Sequence, residues 1–239
     1  MIAGIGIELT AYAPTVAALL VAGLTRTTGA LLRPVVRWQV GLHWYLIALV
    51  GPTVLFVLGD VVRLVVGAAL PPTWFSIPSA GALAFLLGAL IAGSFGEEVG
   101  WRGLGQRLLQ PTYGALPAAL AVGVVWSTWH LWPVVAPGGA STTTWADAIL
   151  TFIRLISTSV VYAWLFNSTR GSLLIVMLAH AGHNLAVRFV PLASSVQHGD
   201  PVVASLYALA AAAVILGSGS RWLSRRHMFP EMLTGSRSG

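Results

Sequence analysis

Long apolar stretches alternate along the chain with short polar ones. A bilayer core of about 30 Å is crossed by about 20 mostly apolar residues in a helix. Seven stretches meet that measure, at about 2–24, 42–70, 80–98, 115–135, 146–167, 173–190 and 202–218. The second is overlong, and a tilt or break is expected near Gly59–Asp60. Between the spans stand "LPPTWFSIPS" at 70–79, "APGGASTTT" at 136–144 and "NSTRGS" at 167–172, where Pro and Gly end helices or set turns. No repeat, linker or low-complexity tail marks a second domain, so residues 1–239 are expected to form one integral-membrane domain. The pattern predicts an all-α, polytopic transmembrane helix bundle of about seven spans.

Composition agrees with the pattern. Hydrophobic residues make up 56% of the chain and charged residues only 8%, against roughly 25% charged in a soluble domain. The net charge of +6 and pI of about 10.8 come from arginine alone, since lysine is absent. So few charges would have to build any basic stripe for nucleic acid that the bilayer, not nucleic acid, is the expected partner. With no cysteine, thiol nucleophiles, disulfides and thiolate ligands are excluded. The N-terminal "MIAGIGIELT" lacks a positive region and contains Glu8, so it reads as the start of a first membrane helix and not as a signal peptide.

The arginines set an orientation. Arg26, Arg33 and Arg37 follow the first span, Arg102 and Arg107 the third, Arg170 the fifth, and Arg221, Arg225 and Arg226 the seventh. The connections at 71–79, 136–145 and 191–201 contain none. All the basic connections share one side if the N-terminus is outside and the C-terminus in the cytoplasm.

Three stretches carry candidate chemistry. Ionisable groups within a span are costly and line a bundle interior or a water-filled cavity by default. In "SFGEEVGWRG" at 94–103, Glu97 and Glu98 follow sixteen uncharged residues, Gly81 to Gly96. Glu98 and Arg102 share a helical face at i,i+4 and can pair, while Glu97 is turned about 100° away and stays free for a reaction. The bland reading is a helix end snorkelling at the interface. In "WSTWHLWP" at 126–133, Trp126 and His130 are also i,i+4, and the bland reading is a histidine packed among tryptophans. In "AHAGHN" at 179–184, His180 and Asn184 share a face and His183 adds a third polar group; two imidazoles and a carboxamide in an apolar span need several buried partners. The inventory is hydrolytic. A carboxylate can be the general base toward water, or Glu and His can hold a zinc ion that acidifies its bound water, and an amide or imidazole proton can stabilise an oxyanion. No His-Glu-x-x-His motif and no Gly-x-Ser-x-Gly elbow occurs,.

Glu97-Glu98-x-x-x-Arg102, Trp126-x-x-x-His130 and His180-x-x-x-Asn184 resemble, in order and spacing, the three motifs of the CAAX protease and bacteriocin-processing (Abi, type II CAAX prenyl endopeptidase) family of intramembrane proteases. The flanking "WRGLGQRLLQ" and "GSLLIVMLAHAGHN" are similar too, and the resemblance covers a core of about 94–190. It implies a glutamate- or metal-dependent endopeptidase acting on a peptide or membrane-protein substrate, prenylated or not, in the cell membrane, with its site open to the cytoplasm. By the same resemblance Glu97 is the water-activating base or a metal ligand, Glu98 and Arg102 are its supporting pair, His130 and His180 orient water or bind metal, and Asn184 helps bind the oxyanion. Two departures stand out: the family's phenylalanine is Trp126 here, and His183 is an extra candidate ligand.

Zinc or another divalent metal held by Glu97, His130 and His180 is one expectation, and a metal-free glutamate mechanism the other. A proton-coupled transporter and a catalytically silent immunity or binding protein on the same scaffold are the readings from other classes. Gly96-x-x-x-Gly100 offers a close helix contact. One difficulty is evident: His130 lies roughly 22 Å from the arginine-rich end of its span and His180 roughly 10 Å from that of its own. The two can meet if the fourth span begins shallowly, near Pro111 and Pro117.

Overall fold

A computed structural model describes residues 11–68, 73, 75–76, 79–131, 144–190, 199–227 and 229. Regular structure among them is entirely helical: α1 (Ala13–Leu24), α2 (Thr28–Leu32), a 3-10 turn (Arg33–Val36), α3 (Leu42–Val65), α4 (Ala80–Glu98), a π-helical segment (Val99–Gln106), α5 (Arg107–Tyr113), α6 (Ala115–Trp129), α7 (Trp145–Ser168), α8 (Leu173–Phe189) and α9 (Pro201–Ser218). Each expected span contains one of the seven helices α1, α3, α4, α6, α7, α8 and α9. The first nine residues expected of span one, the last four of span four, the connection at 136–143 and most of those at 70–79 and 191–201 lie outside the described residues.

Helix ends follow local chemistry. Thr144 and Asp147 form a reciprocal capping box at the start of α7, Ser172 accepts from the Ile175 amide at α8, and Asp200 accepts from the Val203 amide ahead of Pro201 at α9. Each such cap is worth about 1 kcal/mol. Gly114, at φ +88°, separates α5 from α6 in a conformation that favours glycine.

One expectation needs correcting. α3 runs unbroken through Gly59–Asp60 and ends at Val65, short of the overlong stretch read from the sequence. The Asp60 carboxylate is not a breaking point, because Arg63, one turn on, donates to it at 3.2 Å, and Arg63 also pairs with Asp200 at the head of α9. A buried charge answered within its own helix leaves the backbone ladder intact.

α3, α7 and α9 are long and apolar enough to cross a membrane by length and composition, with mean hydropathies of 2.1, 1.7 and 1.9. α1, α6 and α8 are shorter apolar helices. Leu46 and Val54 of α3, Val124 and Val125 of α6, Ile149 of α7 and Leu209 and Leu216 of α9 all face outward. An apolar surface of that extent requires an apolar surrounding, so the fold is an all-α membrane helix bundle.

The bundle core is built by close pairings of α6 with α7, α8 with α3, α9 with α7 and α8 with α4. Small residues permit the closest of these. A Cβ on Gly182 of α8 would stand 2.8 Å from the Ala48 carbonyl oxygen of α3. Gly96 and Gly100 form an intramolecular contact: their faces meet the backbone of Ala11 and Pro14 at the head of α1, and the Thr15 hydroxyl donates to the Phe95 carbonyl beside them at 3.0 Å.

The arginine-bearing connections gather at one end of the bundle. Arg37 donates to the Arg170 carbonyl, the Ser172 hydroxyl to the Arg37 carbonyl, Arg107 to the Ala30 carbonyl, Asn167 to the Trp222 carbonyl and the Ala115 amide to the Arg221 carbonyl.

Candidate active site

The two glutamates end α4, where the chain passes into the π-helical segment. Such wide turns recur at functional sites; here the segment carries Arg102 back beneath Glu98. Arg102 Nη1 lies 3.2 and 3.1 Å from the two Glu98 oxygens, and both side chains are fully buried. That burial excludes a helix end snorkelling to the interface. The guanidinium is also flanked by aromatic rings, 4.7 Å from the centre of Trp126 and 5.1 Å from that of Tyr162, a cation–π setting that favours the charge in a dry interior.

His180, on α8, meets both carboxylates. Its Nδ1 is 2.8 Å from Glu98 Oε1, and its Nε2 faces Glu97 Oε1 at 3.9 Å. With Nδ1–H donated to Glu98, Nε2 is the ring nitrogen turned to Glu97,. At 3.9 Å the two do not bond directly; a water between them would bridge them. Glu97 is oriented from its other oxygen, Oε2, by the Trp126 indole N–H at 2.7 Å.

His130, at the end of α6, places Nδ1 3.0 Å from the Trp126 carbonyl, so Nε2 is its available nitrogen. Its ring packs edge-on against Trp126 and Trp129, with centres 5.4 and 4.9 Å apart. His180 is 5.7 Å from the same Trp126 ring. His180, His130 and Asn184 then line one cavity of about 140 Å³, together with Trp126, Arg154, Thr158, Tyr162 and His183. At about 30 Å³ each, it has room for a few water molecules. The depth difference between the two histidines persists, because the start of α6 is bonded to Arg221 at the arginine-rich end. The cavity spans it by running lengthwise, with Trp126 between the two rings.

His183 does not compete for this position. Its Nε2 is 3.0 Å from Arg154 Nη1 and its Nδ1 2.6 Å from the Tyr207 hydroxyl, so both ring nitrogens are engaged. Tyr162, Arg154 and Tyr207 are the site neighbours not singled out in the sequence, and the bond from Trp126 to Glu97 was not foreseen there. Arg154 was legible as a lone charge inside an apolar span, and Trp126 as an N–H donor where the resembled family carries phenylalanine.

The fit to a metal is partial. Glu97 Oε1 and His180 Nε2 stand at a separation one ion can bridge, but among the described residues no three His, Cys, Asp or Glu side chains converge as a metal-holding group. A catalytic zinc takes three protein ligands. As placed, the residues do not fit one.

Position along the bundle matters. His180, Asn184 and Val187 lie progressively further from the Ser172 end of α8, and Thr158, Leu155 and Arg154 progressively further from the Ser168 end of α7. The cavity therefore extends from His180, the glutamates' partner, away from the arginine-rich end. Larger hollows of about 640 and 710 Å³ at that end, around Trp38, Tyr45 and Trp44, are lined by none of His130, His180 and Asn184.

Comparison with known proteins bears on the same elements. Residues 78–186, from the head of α4 to near the end of α8, match a family model. The model describes the type II CAAX prenyl endopeptidase Rce1-like proteins. All three motifs fall inside the matched residues. A stretch of 138 residues, 55% of this chain, is 27% identical to the CAAX prenyl protease 2 of Methanococcus maripaludis and covers 48% of that protein. The chain spans about half the length of this curated relative.

Proposed function

We propose that this chain is an intramembrane endopeptidase that hydrolyses a peptide bond in a membrane-associated peptide or protein, prenylated proteins included, with Glu97 as the base. The observation that carries the reading is the facing pair Glu97 Oε1 and His180 Nε2, 3.9 Å apart, with the His180 ring lining the cavity that also holds His130 and Asn184. A water donating one hydrogen to each would lie with its oxygen lone pair toward the cavity, where a substrate carbonyl enters. Glu97 takes the water proton as the oxygen attacks the carbonyl carbon. The tetrahedral oxyanion accepts a hydrogen bond from Asn184, while His130, whose Nδ1–H is donated to the Trp126 carbonyl, presents Nε2 as an acceptor for a water or a substrate N–H. Glu97 then returns the proton to the leaving amine as the C–N bond breaks. Glu98 and Arg102 hold His180 in the tautomer this requires.

The metal-dependent alternative needs a third ligand, which His130 would have to supply by moving. One experiment separates the two. In protein reconstituted into liposomes, Glu97→Gln is expected to reduce peptide hydrolysis to background while helix content and thermal unfolding stay near wild type. Full hydrolysis by folded Glu97→Gln protein sinks the assignment. Zinc at about one per chain by elemental analysis, with activity lost to a chelator and restored by zinc, would instead support the metal route.

For topology we infer seven spans with the arginine-rich end in the cytoplasm, by the positive-inside rule. The cavity then faces the opposite side. The orientation read from the arginines and the cytoplasm-facing site implied by the family resemblance do not hold together in this geometry, and the charge distribution favours the former.

A further inference from the structure

Arg154 stands apart in the site. It lines the cavity with His130, His180 and Asn184, and it belongs to none of the three motifs. The chain contains seven acidic residues, Glu8, Asp60, Glu97, Glu98, Asp147, Asp200 and Glu231, and no ion pair among the described residues joins one of them to Arg154, whereas Arg63 pairs with Asp60 and Asp200 and Arg102 with Glu98. Its bonded side-chain partner is the uncharged ring nitrogen of His183, at 3.0 Å from Nη1. Its Nε is buried with no hydrogen-bond partner.

A guanidinium in that state is costly in an apolar bundle. Arg63 and Arg102 are neutralised by carboxylates on their own or neighbouring helices, and Arg154 is not. His183 and Tyr207 form a chain behind it, Arg154 to His183 at 3.0 Å and His183 to Tyr207 at 2.6 Å, with the His183 ring packed on Phe56 at 5.4 Å. That chain fixes the guanidinium from one edge without cancelling its charge. The free edge suits a planar anion bound through paired N–H groups.

We propose that Arg154 is a specificity-determining residue that receives a carboxylate of the substrate within the catalytic cavity. The carboxylate comes either from the free C-terminus of the substrate or from an acidic side chain near the cleaved bond. This rests on the reading of the cavity as the catalytic site, and it deepens that reading: substrates are selected for a negative charge a short reach from the reacting carbonyl, so a terminal carboxylate would confine cleavage to the last few residues of a chain.

The test measures binding, so that it does not depend on turnover. Fluorescein-labelled short peptides with apolar ends are prepared in three forms: free carboxylate, C-terminal amide, and amide with a glutamate at the last position. Their affinities are measured by anisotropy for full-length Glu97→Gln protein in nanodiscs, and for the same protein carrying Arg154→Gln or Arg154→Lys. The carboxylate form is expected to bind at least about tenfold more tightly than the plain amide, the scale of losing charge-assisted hydrogen bonds. Arg154→Gln should abolish the difference and Arg154→Lys should keep part of it, which a merely structural role would not do. Recovery of affinity by the glutamate form assigns the source to a side chain; no recovery assigns it to the terminus. Equal binding of acid and amide, absence of binding by either included, or a difference that survives Arg154→Gln overturns the proposal. Retained discrimination in a protein that never hydrolyses any of these peptides would sink the proposed reaction and leave Arg154 as an anion-binding residue.

Discussion

At the scale of single residues the site is a set of orientations. Glu97 is aimed from one side by the Trp126 indole at 2.7 Å, a contact a phenylalanine cannot make. Trp126→Phe is therefore expected to lower kcat/KM about tenfold to a hundredfold, the equivalent of one hydrogen bond to a charged group, with little change in thermal unfolding. Unchanged kinetics would mean Glu97 is held well enough by packing alone. Glu98 and Arg102 are expected to behave differently. Removing either leaves a buried charge unanswered, so Glu98→Gln and Arg102→Ala should each lose about 3–5 kcal/mol of stability along with activity, readable in detergent unfolding. The i,i+4 spacing made that pair legible in the sequence. The Trp126 bond was not, because it joins residues 29 positions apart on different helices, and periodicity carries no information about such distances. Arg154 was visible as a charge in an apolar span, but its lack of a carboxylate became apparent only when the helices around it were in place.

At the scale of helices, hydropathy marked all seven long elements, because burial in lipid and helix formation demand the same residues. It misjudged α3, whose Gly59–Asp60 looks like an interruption until Arg63 is placed beside it. It also gave no sign that the residues after Glu98 widen into a π-helical segment, since Glu98 and Arg102 can meet in either geometry. The tight seams between helices offer their own test. Gly182→Ala would put a methyl group 2.8 Å from the Ala48 carbonyl and force α8 off α3, shifting His180 and His183 with it. A loss of about 1–3 kcal/mol is expected, as for other overpacked contacts. Gly23→Ala, whose added carbon meets nothing within 4 Å, serves as the control, and equal melting of the two variants would show that the seam can relax.

At the scale of the molecule, the cavity runs from His180 and Tyr162 away from the arginine-rich end of the bundle. The absence of cysteine makes sidedness directly measurable with single introduced thiols. With the arginine-rich end in the cytoplasm, Thr73→Cys is expected to react with a membrane-impermeant maleimide on intact cells, and Gln39→Cys only after lysis. The reverse pattern would turn the cavity towards the cytoplasm and overrule the arginine count. The sequence showed the charge asymmetry because charges can be counted. The direction of the cavity depends on how far along each helix its lining residues fall, which only the assembled bundle displays.

The ion pair between Arg63 and Asp200 has a consequence for how the protein is made. The partners are separated by 137 positions, and Tyr207, which completes the chain behind Arg154, also belongs to α9. Synthesis proceeds from the N-terminus, so for most of translation Arg63 has Asp60 alone, and His183 awaits its tyrosine. The half-made bundle therefore holds incompletely answered polar groups against lipid until α9 arrives, and a ribosome that stops before Asp200 releases a chain suited to quality-control proteolysis. The support behind Arg154 and the second partner of Arg63 in this sense arrive late in biogenesis, and α9 acts as their latch.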